Sequence, residues 1–314
     1  MVHWMAWGTS ALTSRFMHVT ASSWCKTYIN NSFEHYLVNA YLFVLVVVGK
    51  LCLNPTFSTE MMPILFGLSN TLYPYWINKA IEILPDSSYP ALITHSDSII
   101  LTSISPLIFG SDNRLAMLYP IYCMTIGKLL IIHYDNPYMR IAVDEESLQE
   151  ELQRPILRDR LETSKHIGFA CLSLSCIVVK DTLLAFMSHN RVAISDIIFS
   201  HQLFALILSL LYKHQNKVAP MLVYNEGVGD AKTYVASTVL LLNNGLVNYL
   251  YIVSLYNCYN DIPNMGYAKL FASFYIPVFW CYKLSISERH CNEYYIGGYY
   301  CYVLAFLGLV YFGR

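Results

Sequence analysis

Residues 234–259 read YVASTVLLLNNGLVNYLYIVSLYNCY, a stretch without one formal charge. A helix rises 1.5 Å per residue, so about 20 residues cross about 30 Å of hydrocarbon. This stretch is long enough and apolar enough to do so. Outward from it, similar stretches recur at Tyr36–Leu53, Met61–Leu84, Ala91–Gly110, Leu115–Tyr134, His166–Ser188, Ala193–Tyr212, Met265–Lys283 and Tyr294–Gly313. The chain is 55% hydrophobic and 13% charged, with a mean hydropathy of +0.40. The pattern predicts an all-α, polytopic transmembrane helical bundle of about eight or nine crossings, with a short amphipathic helix outside the bilayer. Its 314 residues leave no room for a second soluble domain.

The expected organisation is a surface or amphipathic arm over residues 1–35, membrane helices 1–4 over 36–134, a charged amphipathic segment over 135–165, and membrane helices 5–9 over 166–314. The arm has Trp anchors and no acid before Glu34, a weak likeness to a mitochondrial transit sequence, but no secretory signal. Met61–Leu84 contains Pro63 and Pro74, and Ala91–Gly110 contains His95, Asp97 and Pro106, so these two crossings read as a candidate broken or re-entrant pair. Lys and Arg concentrate on one side when nine crossings are counted. That bias places the N-terminus with the Arg140–Lys165 segment on the cytoplasmic or matrix-equivalent face.

A net charge of −1 excludes the basic footprint of a nucleic-acid partner. The 26 tyrosines read mainly as interfacial belts. None of the nine cysteines forms a Cys-x-x-Cys, and several sit in apolar spans, which argues against a disulfide framework or a zinc site. No paired-aspartate, His-x-x-His, Gly-x-Ser-x-Gly, His-Glu-x-x-His or Walker pattern occurs, so no catalytic residue or metal site is assigned. Cys123 with Lys128 and Cys176 with Lys180 sit at similar depths, but their spacings differ by one and the flanks do not align. No internal repeat is read from them.

The candidate functional residues are the polar ones inside apolar spans. A charge there costs about 2.5–3.5 kcal/mol on insertion scales, so it pairs or lines a polar path. Lys180 and Asp181 are adjacent and point about 100° apart on a helix, so each needs its own partner. Lys128, Asp97 and Asp196 are available. Asn243, Asn244 and Asn248 are read as interhelical hydrogen-bonding groups, with lipid contact and a polar path as alternatives for the whole set. Haem on His201 and His214 is not supported, because no second helix carries a matching pair of ligands. No cofactor is expected beyond bound phospholipids.

Between Arg140 and Lys165 the charge density rises. Ser147 and Glu150 fit a capping box, and Leu148, Leu152 and Leu161 form an apolar stripe that either lies on the membrane as a solvated connector or docks a partner subunit. That stripe, the acid-poor arm and Met1 kept before the small Val2 favour a non-catalytic subunit of a multi-protein membrane complex. The expected setting is the mitochondrial inner membrane, in a respiratory-chain or ATP-synthase type assembly, with other membrane subunits and lipids as partners. A small-solute or ion transporter or channel is the rival reading. A membrane-embedded lipid-modifying enzyme is the third.

Overall fold

The computed structural model describes residues 2–25, 32–56, 60–83, 96–110, 118–135, 156–215, 231–262, 264–278, 281 and 293–312. Every regular element among them is helical. The helices are α1 (Val2–Cys25), α2 (Ser32–Leu53), α3 (Met61–Ile83), α4 (Asp97–Phe109), α5 (Leu118–Asp135), α6 (Ile156–His189) and α7 (Ile194–Gln215). Next comes α8, which runs from Ala231–Leu242 through a π-turn at Asn243–Val247 into Asn248–Asp261, and then α9 (Met265–Ser273) and α10 (Glu293–Phe312).

Among the described residues, four segments are long and apolar enough to cross a membrane: Ile167–His189, Ile194–Leu211, Thr238–Asp261 and Glu293–Tyr311. Val38–Leu53, Asp97–Phe109 and Leu118–Ile131 are shorter apolar helices. Large apolar side chains face outward in helical register. On α10, Ile296, Tyr300, Val303, Leu307 and Tyr311 are exposed, while Tyr295, Tyr302, Ala305 and Leu309 are buried. An outward apolar stripe is what a lipid-facing helix presents and what a water-soluble one avoids.

Three details bear on the expected organisation. Val2–Cys25, expected within a surface arm, is a helix packed along α8, with Trp4, Ala11 and Ser14 buried. Met61–Ile83 is one uninterrupted helix despite Pro74, not half of a broken pair. Of the charged segment, the described part from Ile156 onward runs on into the next apolar stretch. α6 is a single 34-residue helix from Ile156, about 50 Å long at 1.5 Å per residue, so its first turns extend beyond the apolar part.

The chain divides into two compact units. The first comprises Met1–Thr71 and Thr182–Ile262. In it α1 runs antiparallel to α8, through Ser10 Oγ and Ser254 Oγ at 2.7 Å and the Cys258 thiol pointing to the Trp4 carbonyl. α2 runs antiparallel to α7, with Phe43 against Phe199 and the Gln202 amide donating to the Asn39 carbonyl. The π-turn glycine, Gly245, lies against Leu42 of α2, beside a cluster of Val38, Leu42, Ala236 and Leu240. At Gly67 the backbones of α3 and α7 touch: a Cβ there would sit 2.5 Å from the Ser200 carbonyl oxygen. α6 ends in a left-handed turn at Arg191 (φ 56°) whose N–H groups reach back to α6 carbonyls.

The second unit comprises Leu72–Asp181 and Pro263–Arg314. Here α3 meets α6, with Trp76 stacked on Phe169 and the Ser173 hydroxyl donating to the Tyr73 carbonyl. α4 lies antiparallel to α9, where Gly266 admits Thr102 and the Met265 N–H donates to Ser105 Oγ. α5 and α10 cross at Gly127 and Gly298. A Cβ on the first would come within 2.9 Å of the second's carbonyl, and one on the second within 3.0 Å of the first's. Small residues at crossings are how membrane helices bring backbones together without an aqueous driving force.

Candidate functional site

Each unit carries a buried polar centre. In the second unit it forms on α9, all of whose residues from Met265 to Ser273 are buried. Asn264 caps this helix by accepting the Gly266 N–H at 2.9 Å. One turn in, Lys269 Nζ lies 2.7 Å from Asp181 Oδ2 of α6 and 3.5 Å from Asp97 Oδ2 of α4. Asp97 occupies the first turn of α4 and also accepts the Ser98 N–H at 2.8 Å. A carboxylate there is favoured by the unpaired N–H groups and positive end of the helix. Lys128 of α5 is 2% exposed and within the electrostatic reach of Asp97 and Lys269. Two carboxylates and two ammonium groups thus balance in formal charge. Lys180, next to Asp181 but turned from it, places its Nζ 5.2 Å from the centre of the Tyr73 ring, a cation–π arrangement.

In the first unit, Lys50 of α2 pairs with Asp196 of α7 at 2.5 Å and donates to Ser195 Oγ at 3.3 Å. Deeper along α7, His201 is clamped between two amides. Asn70 Nδ2 of α3 lies 3.0 Å from its Nδ1, and Asn248 Nδ2 of α8 lies 3.1 Å from its Nε2. The next residue, Gln202, accepts the Tyr249 hydroxyl at 2.7 Å. Asn248 and Tyr249 leave the helix directly after the π-turn, whose Asn243 donates to the His18 carbonyl at 3.3 Å. Asn244 is half-buried. A π-turn carries one extra residue and re-aims the side chains after it, and such turns recur at functional sites.

Sequence reasoning named Asp97, Lys128, Lys180, Asp181, Asp196, Asn243, Asn244 and Asn248. Structure gathers Asp97, Asp181 and Lys128 around a lysine it did not name. Asp196 goes instead with Lys50, in the other unit. Lys50 and Lys269 lie inside the apolar stretches Tyr36–Leu53 and Met265–Lys283, where the same insertion-cost argument would have found them. Asn70, Gln202 and Tyr249 gave no comparable signal, since single neutral polar residues are ordinary in membrane helices. Leu148 and Leu152 lie outside the described residues, as do the Leu161 and His214 side chains. Both ring nitrogens of His201 are taken up by amides. Among the described residues no group of three His, Cys, Asp or Glu side chains is placed to hold a metal ion.

No protein-family model matches this chain, and no curated protein matches it. Solved structures do. One, described only as a crystal structure of a protein, shares 11% identity at a TM-score of 0.69, over 99% of this chain and 98% of the other. At that identity the likeness is one of fold alone.

Proposed function

We propose that the chain is a secondary carrier of small solutes, built as two inverted repeats of five helices that together cross the bilayer ten times. The observation that carries this is the order of helix pairing. α2 pairs with α7, α4 with α9 and α5 with α10, in each case a helix with the one five places later. The α1–α8 pair corresponds to α6–α3, and the α3–α7 contact at Gly67 to the α8–α2 contact at Gly245. Among the described helices, these pairings recur when each helix is replaced by the one five places away. The three self-corresponding pairs run antiparallel, and Gly127 and Gly298 each meet the other's carbonyl. Reciprocal contact of this kind is the mark of a two-fold relation. A repeat with an odd number of crossings enters the membrane the opposite way the second time, which is the construction of many secondary transporters.

The chemistry of the two polar centres supports the same reading. Charges inside a membrane protein are costly and mark polar pathways by default. Here Lys50, Lys269, Asp97, Asp181 and Asp196 all meet partners on their own chain. The complex-subunit reading, with the mitochondrial inner membrane as its setting, therefore stands behind the carrier.

The test is solute exchange. The purified chain is placed in liposomes filled with an isotope-labelled small-molecule cell extract, and unlabelled extract is supplied outside. Mass spectrometry is expected to find a defined subset of solutes leaving faster than from protein-free liposomes. Retention equal to that of protein-free liposomes for every solute contradicts the proposal.

A further inference from the structure

We propose that His201 is a proton-binding site and that proton binding there is coupled to solute movement. The coupling rests on the carrier reading above; the proton site does not.

The argument is one of hydrogen-bond capacity. A neutral imidazole offers one donor and one acceptor, and an imidazolium offers two donors. A buried ring therefore changes protonation state only if its partners can change roles with it. Asn is able to do this: its amide presents NH₂ or C=O to the same neighbour by turning over, with no change of shape. His201 is 8% exposed and has one such amide at each nitrogen, Asn70 at 3.0 Å and Asn248 at 3.1 Å. Both neutral tautomers and the cation are satisfied by turning one or both amides. A clamp of fixed acceptors would lock the charged ring, and an apolar one would exclude it.

The surroundings suit a proton that comes and goes. α3 brings the neutral Asn70, and α8 brings Asn248 and the Tyr249 ring, edge-on at 6.4 Å. From α1, the titratable and charged groups within electrostatic reach are His18 and, through it, Arg15. On α7 itself the Asp196 carboxylate is engaged by Lys50 of α2. The clamp also joins three separate helices. α3 touches α7 at Gly67 and α8 carries its π-turn just before Asn248, so relative movement of these helices would part an amide from the ring. In the step proposed, a hydronium ion on one face gives its proton to an imidazole lone pair, leaving water. Both amides turn their oxygens to the ring, and the N–H later gives the proton to water on the other face.

The test uses the full chain in lipid nanodiscs with ring-¹⁵N histidine. NMR follows the imidazole signals between about pH 5 and pH 9, the range in which histidine changes charge, and His201→Gln identifies the signal. A reversible passage from neutral ring to imidazolium is expected. It should be lost or displaced in Asn70→Leu and in Asn248→Leu, while the signals of His189, exposed at the end of α6, are the same in both variants as in wild type. A His201 signal that keeps one charge state throughout overturns the site, and a transition untouched by both Leu variants overturns the clamp. In liposomes, an inward-acid gradient should change the rate of solute exchange for wild type and not for His201→Gln. Exchange indifferent to the gradient in wild type overturns the coupling and leaves the carrier standing. No exchange under any condition removes the carrier, and the NMR result still decides the proton site.

Discussion

Lys269 is the residue on which the second unit's charges depend. It faces Asp181 at 2.7 Å and Asp97 at 3.5 Å, with its side chain 11% exposed. Removing one partner of a buried pair strands the other and costs about 3–5 kcal/mol. Lys269→Met is thus expected to lower the thermal midpoint in detergent sharply, with Asp181→Asn in the same chain recovering part of the loss. Unfolding of Lys269→Met at the wild-type temperature would show that the charge is not buried. At Gly67 the cost is steric, because a methyl would sit 2.5 Å from the Ser200 carbonyl oxygen on a rigid backbone. Overpacking of this kind costs about 1–3 kcal/mol. Gly168→Ala is the control, since nothing lies within 4 Å of its Cβ position and a helical Gly is about 1 kcal/mol worse than Ala. Melting curves that rank the two variants together would contradict the close approach at Gly67. Asp97, Lys128 and Asp181 were legible in the sequence because a charge in an apolar run is conspicuous. Gly67 was not, since nothing in a linear sequence says which glycine meets another backbone.

Among the helices, α8 decides how the first unit's amides are aimed. Its π-turn places Asn243 toward His18 of α1 and Asn248 toward His201 of α7, so one helix serves two neighbours. Deleting Gly245 would remove the extra residue and restore ordinary α-helical register, turning one half of the helix against the other by about 100°. Helical content by circular dichroism should stay near wild type while solute exchange fails. Full exchange in the deletion variant would show that the π-turn has no role in transport. The boundary of a candidate span such as Glu293–Phe312 was readable because span length in a bilayer is set by its thickness. Which side of each helix faces inward was not. On α10 both the exposed Ile296–Tyr311 stripe and the buried Tyr295–Leu309 stripe are apolar. Hydrophobic periodicity separates core from water, and in lipid it has nothing to separate.

At the scale of the chain, the five-place spacing of helix pairs inside each unit, α2 with α7 in the first and α4 with α9 and α5 with α10 in the second, is the feature that residue patterns conceal. Cys123–Lys128 and Cys176–Lys180 looked like a failed repeat, yet helix pairing repeats without them. The reason is physical: an inverted repeat needs equal numbers of crossings, antiparallel contacts and small residues where backbones meet. Many unrelated apolar sequences satisfy all three. Counting α1 as a crossing also changes the predicted sidedness. On a ten-crossing count, the sequence positions of Lys26, Arg140, Arg154, Lys217 and Arg289 would still be grouped together, on the cytoplasmic or matrix-equivalent side by the positive-inside rule. The N-terminus moves to the opposite face, because α1 and α6 are then equivalent helices of opposite direction. One measurement tests this directly: protease protection in sealed vesicles, with one tag before Val2 and a second inserted between residues 136 and 155. The inverted-repeat account predicts that the two tags lie on opposite faces of the membrane. Finding both on the same face, as nine crossings with α1 lying on the surface would give, contradicts it.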